Sequence, residues 1–531
     1  MKSVVKKLWE YIGGINGIII IVYCFFVLFG YEFLHFPTRD LFFTLPLSLL
    51  LLFICCPKLL RQLKKIKITY STDPSLREKI LFFLIFFLAT FSTLMFYFAA
   101  YFPGGFNPDS LSQLRQAINN EYSNWHPYLH TIFAFKLPLV LTNGAIWSIP
   151  VFQILCFSLA VGYTGTTLLK FSDRIFSCFA VLFIIINPVI CGSVVYAIKD
   201  TFVGIFALCI MSFVLRIYFS KGEWATSWKN IVAFSVVLVA LTLFRHNAIL
   251  FTFPLFIVVL IFLNKSVKIR IIAMVLSLFF IMYIPLPIIL NVEQPGQRQV
   301  ESLGLPLTIL GDIYCYDRNS LDDETRNFMS QIADEEKWNN YVQGNFNSIK
   351  WKGINSDVIE KKGALNVIQM SIKAASSSPG VALSSALTLT GLVYKLDGDA
   401  QSGTTTHPYI ESNEFNISWN GVNQFYNALE RYRYLFEKYL SLFFLYIGTA
   451  NIVVLYCTFS KCNLKKKEEI KKALFVLPLF LYNFGTMLLL TGPDYRFFLF
   501  SILLLPIYIL LMFRDNSQKQ VNCRFLKSVI Q

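Results

Sequence analysis

Five short stretches carry most of the chemistry-bearing side chains of an otherwise apolar chain. They are FNPDSLSQ around Asp109 and Gln113, NWHPYLHT around His126, YAIKDTF around Lys199, LFRHNAI around Arg245 and His246, and GPDYRF around Asp494 and Arg496. Arginine and lysine suit a phosphate or diphosphate, and the guanidinium offers it a bidentate edge. A carboxylate beside them can take a proton from an acceptor hydroxyl. Cations can also stabilise the charge that develops on a departing phosphate. An acid, a histidine and several cations therefore fit attack by an alcohol on a sugar whose leaving group is a lipid-borne phosphate. That chemistry requires the five stretches to meet, and meeting depends on the elements that carry them.

Those elements are membrane helices. A chain of 531 residues that is 55% hydrophobic and only 15% charged falls outside the soluble globular range. Runs such as ILFFLIFFLATFSTLMFYF match the roughly 20 residues needed to cross a hydrocarbon core of about 30 Å. Their continuity excludes the alternating pattern of a β-barrel. The expected fold is an all-α polytopic membrane protein with about twelve transmembrane helices. They are placed at 13–31, 41–57, 80–102, 145–169, 175–192, 201–219, 230–245, 248–264, 271–290, 438–458, 473–490 and 497–513. The first apolar run follows Lys2, Lys6 and Lys7 and lacks a small-residue cleavage site, which reads as an uncleaved anchor. The eleven cysteines lie mostly inside apolar runs and imply no disulfide framework.

The connections alternate in charge. One set, from Lys2 through Lys58–Lys79, Lys170/Arg174, Arg216–Lys229, Lys265–Arg270 and Lys461–Lys472 to the tail, holds 28 Lys and Arg. The short connections of the other set hold only Arg39, Arg115, Lys136, Lys199, Arg245 and Arg496. The positive-inside rule makes the first set and both termini cytoplasmic. The net charge of +15 is thus an orientation signal and an anchor for lipid headgroups, not a nucleic-acid patch. The segments 128–142 and 378–394 are apolar but short, and either one counted alone as a span would place 461–472 outside; the first is expected to be re-entrant or interfacial. The resulting organisation is a transmembrane core over 1–290 with a first outer loop at 103–127. A mainly helical extracytoplasmic domain follows over 291–437, then three spans over 438–513 and a cytoplasmic tail over 514–531. In the late domain, Asp322 is expected to cap a helix.

All five stretches then fall on the outer face, where charges at or just inside a membrane are costly. Each also has a plain structural reading. Asp109 can cap a helix starting at Ser110, and His126-Pro127 can simply end a loop. Lys199 and Asp200 can pair at a helix start, and Asp494/Arg496 can be a turn with a snorkelling arginine. Arg245-His246-Asn247 is harder to explain this way, because it interrupts more than thirty apolar residues.

The order FNPDSLSQ, NWHPYLHT, YAIKDTF, LFRHNAI, GPDYRF over residues 106–497, with a multispan core and a large late outer domain, resembles the GT-C superfamily of integral membrane glycosyltransferases. The likeness is nearest to a set of GT-C-like proteins of Gram-positive bacteria. The resemblance implies a polyprenyl-phosphate sugar as donor and Asp109 as the first-loop catalytic aspartate. It implies Arg245 and Arg496, with Lys199 and His246, at the donor phosphate. Metal-dependent members place two acids close together in the first loop. Here Glu121 lies twelve residues after Asp109, and Asp397-Gly398-Asp399 reads as a turn.

The expected reaction is therefore inverting, metal-independent sugar transfer outside the membrane. Asp109 is the base, and His126, Gln113 and Asp494 position the acceptor or the phosphate. The acceptor is expected to be a cell-wall or surface glycan, or a lipid-linked saccharide. A polysaccharide polymerase or ligase with a diphosphate-linked donor is the alternative. A transporter would call for mid-bilayer ionisable groups and internal repeats, which the sequence does not display.

Overall fold

The computed structural model describes residues 2–35, 38–68, 73–294, 299–396, 408–444, 446–463 and 466–514. Asp397-Gly398-Asp399 and the tail beyond Arg514 lie outside them. Every regular element among the described residues is a helix, and extended segments meet only in isolated bridges. Eight helices are long and apolar enough to cross a membrane, or up to ten if each of two bent pairs counts as one span. The chain is thus an all-α polytopic membrane protein.

All twelve expected segments fall on helices, but not all are single full-length ones. Arg174–Ile185 and Pro188–Val195 meet at 61°. Pro188 cannot continue a helix from the preceding turn, and Asn187 caps the new one by accepting from the amides of Val189 and Ile190. Trp228–Phe244 and His246–Ile261 are short because Arg245 between them is extended, at φ −152°. The apolar segment Tyr128–Leu141 is a short helix whose middle, Thr131–Lys136, is π-helical.

Burial sorts the long helices into centre and rim. Lys199–Phe219 and Tyr495–Phe513 are mostly enclosed, with 72% and 83% of their apolar windows buried, whereas Lys265–Ile289 is only 11% buried. Apolar residues can face lipid as readily as protein, so composition alone does not separate the two classes. Ser148–Phe171 packs between Leu76–Ala100 and Lys199–Phe219 and ties the centre together.

The late region is not one unit. Residues Val300 to Ala382 form a separate core around Leu307, Ile313, Trp338 and Phe346. The helix Pro379–Tyr394 packs along Gly304–Tyr316 of that core and also on Ile447–Lys461 and Leu477–Leu489, joining it to the membrane bundle. Residues 408–422 return to the first loop, and Asn423–Phe444 runs against Leu76–Ala100. Asp322 caps Asp323–Ile332 as expected, accepting from the Thr325 amide at 2.7 Å.

The first loop is held by its backbone. Phe106 N donates to Tyr409 O at 2.8 Å, and Ala197 N donates to Gly105 O at 3.0 Å. A Cβ at Gly105 would lie 2.1 Å from the Tyr196 ring, so only glycine allows this approach. Ser110 Oγ also donates to Ala197 O at 2.6 Å. These contacts bring the helix Pro108–Asn119 beside the start of Lys199–Phe219.

Candidate active site

The cap of Pro108–Asn119 is Asn107, whose Oδ1 accepts from the Ser110 amide at 2.8 Å, with Pro108 at the first helical position. The capping role open to Asp109 therefore falls to Asn107. Asp109 is left in the first turn with a side chain 31% exposed, facing a cavity. That cavity, about 540 Å3, lies between helix ends of the membrane bundle and the separate core of the late region. Its wall includes Asp109, His126, Lys199, Arg245, His246, Asp494 and Arg496, which come from all five stretches.

Arg496 is the hub of the acidic groups. Its Nε donates to Asp494 Oδ2 at 2.7 Å, and its backbone N donates to Asp494 Oδ1 at 3.2 Å. Asp494 thereby fixes the guanidinium of its own turn. The outer edge of the guanidinium reaches Asp109 Oδ2 at 3.3 Å through Nη1, while Nε also lies 4.0 Å from Asp200 Oδ2. Burial pushes the Asp109 carboxyl up, but Lys199, Arg496 and His126 outweigh it and hold it down to about 2. Asp109 is therefore ionised at neutral pH.

Asp200 and Lys199 do not pair with each other. Asp200 forms a buried ion pair with Arg245, the two side chains being 3% and 4% exposed. Arg245 Nε also donates to Asn247 Oδ1 at 2.8 Å, and its guanidinium sits 3.8 Å from the centre of the Phe497 ring. The expected phosphate arginine is thus largely committed to protein partners. Lys199 has no carboxylate within 4 Å among the described residues and is the cation most available to an incoming anion.

His126 is 4% exposed, and its Nδ1 is buried with no partner among the described residues. Burial first, then Lys199, lowers its pKa to about 4 against the opposing pull of Asp109, so the ring is neutral at pH 7. A neutral imidazole with an unsatisfied nitrogen on a cavity wall is suited to hydrogen-bond a ligand. Gln113 does not reach the cavity. It is fully buried, and its Oε1 faces His130 Nδ1 at 2.6 Å and accepts from Thr131 Oγ1 at 3.2 Å. The physical reason is position along the axis: Gln113 shares a helix face with Asp109 but lies one turn, about 6 Å, further on, where the packed segment Tyr128–Leu141 covers it.

The late region supplies groups that no motif announced. Glu301, Asn347, Lys350 and Trp351 line the cavity. Lys350 Nζ lies 2.5 Å from Glu301 Oε1 and donates to Thr491 Oγ1 at 3.2 Å. Asn347 N donates to Thr491 O at 3.0 Å, and a Cβ at Gly492 would meet Asn345 Oδ1 at 2.2 Å. The loop that carries Asp494 and Arg496 is therefore docked on this region. Asn347 and Lys350 belong to a one-turn helix, too short for periodicity or charge patterning to signal them.

No group of three His, Cys, Asp or Glu that could hold a metal ion occurs among the described residues. No family model, curated protein or solved structure matches the chain, so function is read from this geometry.

Proposed function

We propose that the chain is a GT-C-like membrane glycosyltransferase that moves a sugar from a polyprenyl-phosphate donor to an acceptor hydroxyl outside the membrane. One observation carries this reading: a single cavity gathers an ionised aspartate, a neutral histidine and three cations from five separate stretches of chain. Its size lies within the roughly 300–1,000 Å3 typical of small-ligand sites. Leu250, Leu489 and Leu490 share its wall with the charged groups, which suits a headgroup attached to an apolar tail.

In the reaction, the donor phosphate engages Lys199 and the outer edge of Arg496, with His246 alongside. Both cations otherwise hold Asp109 ionised, so their capture by the donor raises the proton affinity of Asp109 where a base is needed. The acceptor hydroxyl gives its proton to Asp109 while its oxygen bonds to the anomeric carbon. The bond from that carbon to the phosphate oxygen breaks on the opposite side, inverting the centre and releasing polyprenyl phosphate. His126 hydrogen-bonds the acceptor. Asp494 and Arg245 position the machinery, the first by holding Arg496 and the second through its pairing with Asp200.

This reading includes the finer topology: twelve crossings, both termini cytoplasmic and the cavity extracytoplasmic, as the basic connections favour. Cysteine substitutions at Asn119 and Ser412 should react with an impermeant thiol reagent from outside, and one at Lys221 should not. The direct test supplies purified protein with a panel of polyprenyl-phosphate sugars. Transfer by the wild type and its loss in a folded Asp109→Asn variant are expected. Unchanged turnover in that variant would remove Asp109 from its role.

A further inference from the structure

A second charged cavity lies at the opposite end of the bundle. Lys199 and Arg216 sit on one helix, Lys199–Phe219, about 26 Å apart at 1.5 Å per residue. Arg216 thus faces the other membrane surface from the site described above. Around it, Lys79, Thr166, Lys170 and Arg216 line a cavity of about 290 Å3 together with Ile80, Phe83 and Leu84. Three cations and no carboxylate form its wall.

Nearby acids are turned elsewhere. Glu78, adjacent to Lys79, both caps its own helix and pairs with Arg174. Asp73 lies 3.2 Å from Lys79 but is 56% exposed, a surface pair of little strength. Arg216 has no carboxylate within 4 Å among the described residues. Its guanidinium is nevertheless held in place. Nε and Nη2 donate to Thr167 Oγ1 at 3.2 and 2.8 Å, and the plane lies 5.0 Å from the Tyr163 ring centre. This anchoring leaves Nη1 without an acceptor among the described residues. A half-buried arginine in the last turn of a membrane helix needs a counter-charge, and no carboxylate among the described residues supplies it.

The apolar wall indicates what the counter-charge is attached to. Ile80, Leu84 and Leu88 are about half exposed along one face of Leu76–Ala100, running from the cations toward the bilayer centre. We propose that this cavity binds the phosphate of an anionic membrane lipid, with Arg216 as the bidentate ligand, Lys170 and Lys79 flanking it, and the acyl chains lying along Ile80, Leu84 and Leu88. The site is independent of the catalytic reading.

The test is a lipid-binding titration on full-length protein in neutral detergent, followed by native mass spectrometry. The probes are dioctanoyl phosphatidylglycerol, dioctanoyl phosphatidylcholine and glycerol 3-phosphate. Phosphatidylglycerol should bind wild type in preference to both other probes. Arg216→Gln should weaken it about tenfold or more, as expected for loss of a charge-assisted contact. Lys265→Gln, at a different basic connection, should bind like wild type. If Arg216→Gln does not fold, Lys170→Gln and Thr167→Val carry the same test, the latter releasing the guanidinium without removing its charge. Equal phosphatidylglycerol affinity in wild type and these variants would overturn the site. Glycerol 3-phosphate binding as tightly as the lipid would overturn the lipid assignment.

Discussion

Lys199 and Arg245 have the same formal charge and share one cavity, yet their surroundings set opposite consequences for removing them. Arg245 is 4% exposed and paired with Asp200, itself 3% exposed. Replacing Arg245 with Gln leaves an ionised carboxylate buried without its partner, which typically costs about 3–5 kcal/mol. Arg496 Nε, 4.0 Å from Asp200, can recover only part of that loss. Lys199 has no such dependant, because Asp109 keeps its contact to Arg496 and is 31% exposed to the cavity. Lys199→Met should therefore change stability by no more than about 1 kcal/mol. It should instead weaken anion binding by one charge-assisted contact, about 1.5–3 kcal/mol or roughly 10- to 150-fold. Thermal melting in detergent gives the first quantity, and titration with a short-chain prenyl monophosphate gives the second. The double variant Asp200→Asn/Arg245→Gln should melt above Arg245→Gln alone, since both buried charges are then gone. If Lys199→Met melted as low as Arg245→Gln and bound the prenyl phosphate normally, the division into anion-binding and positioning cations would be refuted.

The remaining predictions concern protonation and catalysis. Asp109→Asn should lower turnover by about 10²–10⁴-fold with donor affinity retained, as measured by single-turnover transfer. The acid limb of kcat should lie at higher pH than that of kcat/KM, because the donor withdraws cations that hold free Asp109 near 2. His126, lowered to about 4, binds fewer protons folded than unfolded, so its share of stability is full above pH 6.5 and is lost as pH falls toward 4. His126→Asn should flatten that part of the melting profile. Asp312 is fully buried in the late region and raised to about 6 by burial, against the hydrogen bonds its carboxylate accepts from the Gly344 amide. A raised carboxyl contributes stability below pH 3.8 that is lost as pH rises through 6. Asp312→Asn should thus raise the melting temperature at pH 8, by up to about 3 kcal/mol of stability, and raise it little at pH 4.

Much of the molecule was legible without coordinates. Hydrophobic runs long enough for a bilayer defined the helices, since a membrane forces every backbone polar group into a helix or a closed barrel. The same economy isolated the five polar stretches, because a charge placed among apolar residues stands out against them. What remained undecided were matters of partner and of position along the helix. Asp109 was equally readable as a cap until Asn107 took that role. Gln113, one turn away, faced His130 instead of the cavity.

Sequence by itself determined that this is an all-α membrane chain whose isolated acids and cations lie at the ends of helices. Tertiary structure alone decided that Arg245 belongs to Asp200, that Lys199 has no carboxylate partner among the described residues, and that Lys350 and Glu301 join the cavity from the late region. The physical reason is the range of the forces involved. Hydropathy acts along contiguous residues and is written in their order, whereas ion pairing acts over about 4 Å of space between residues separated by hundreds of positions.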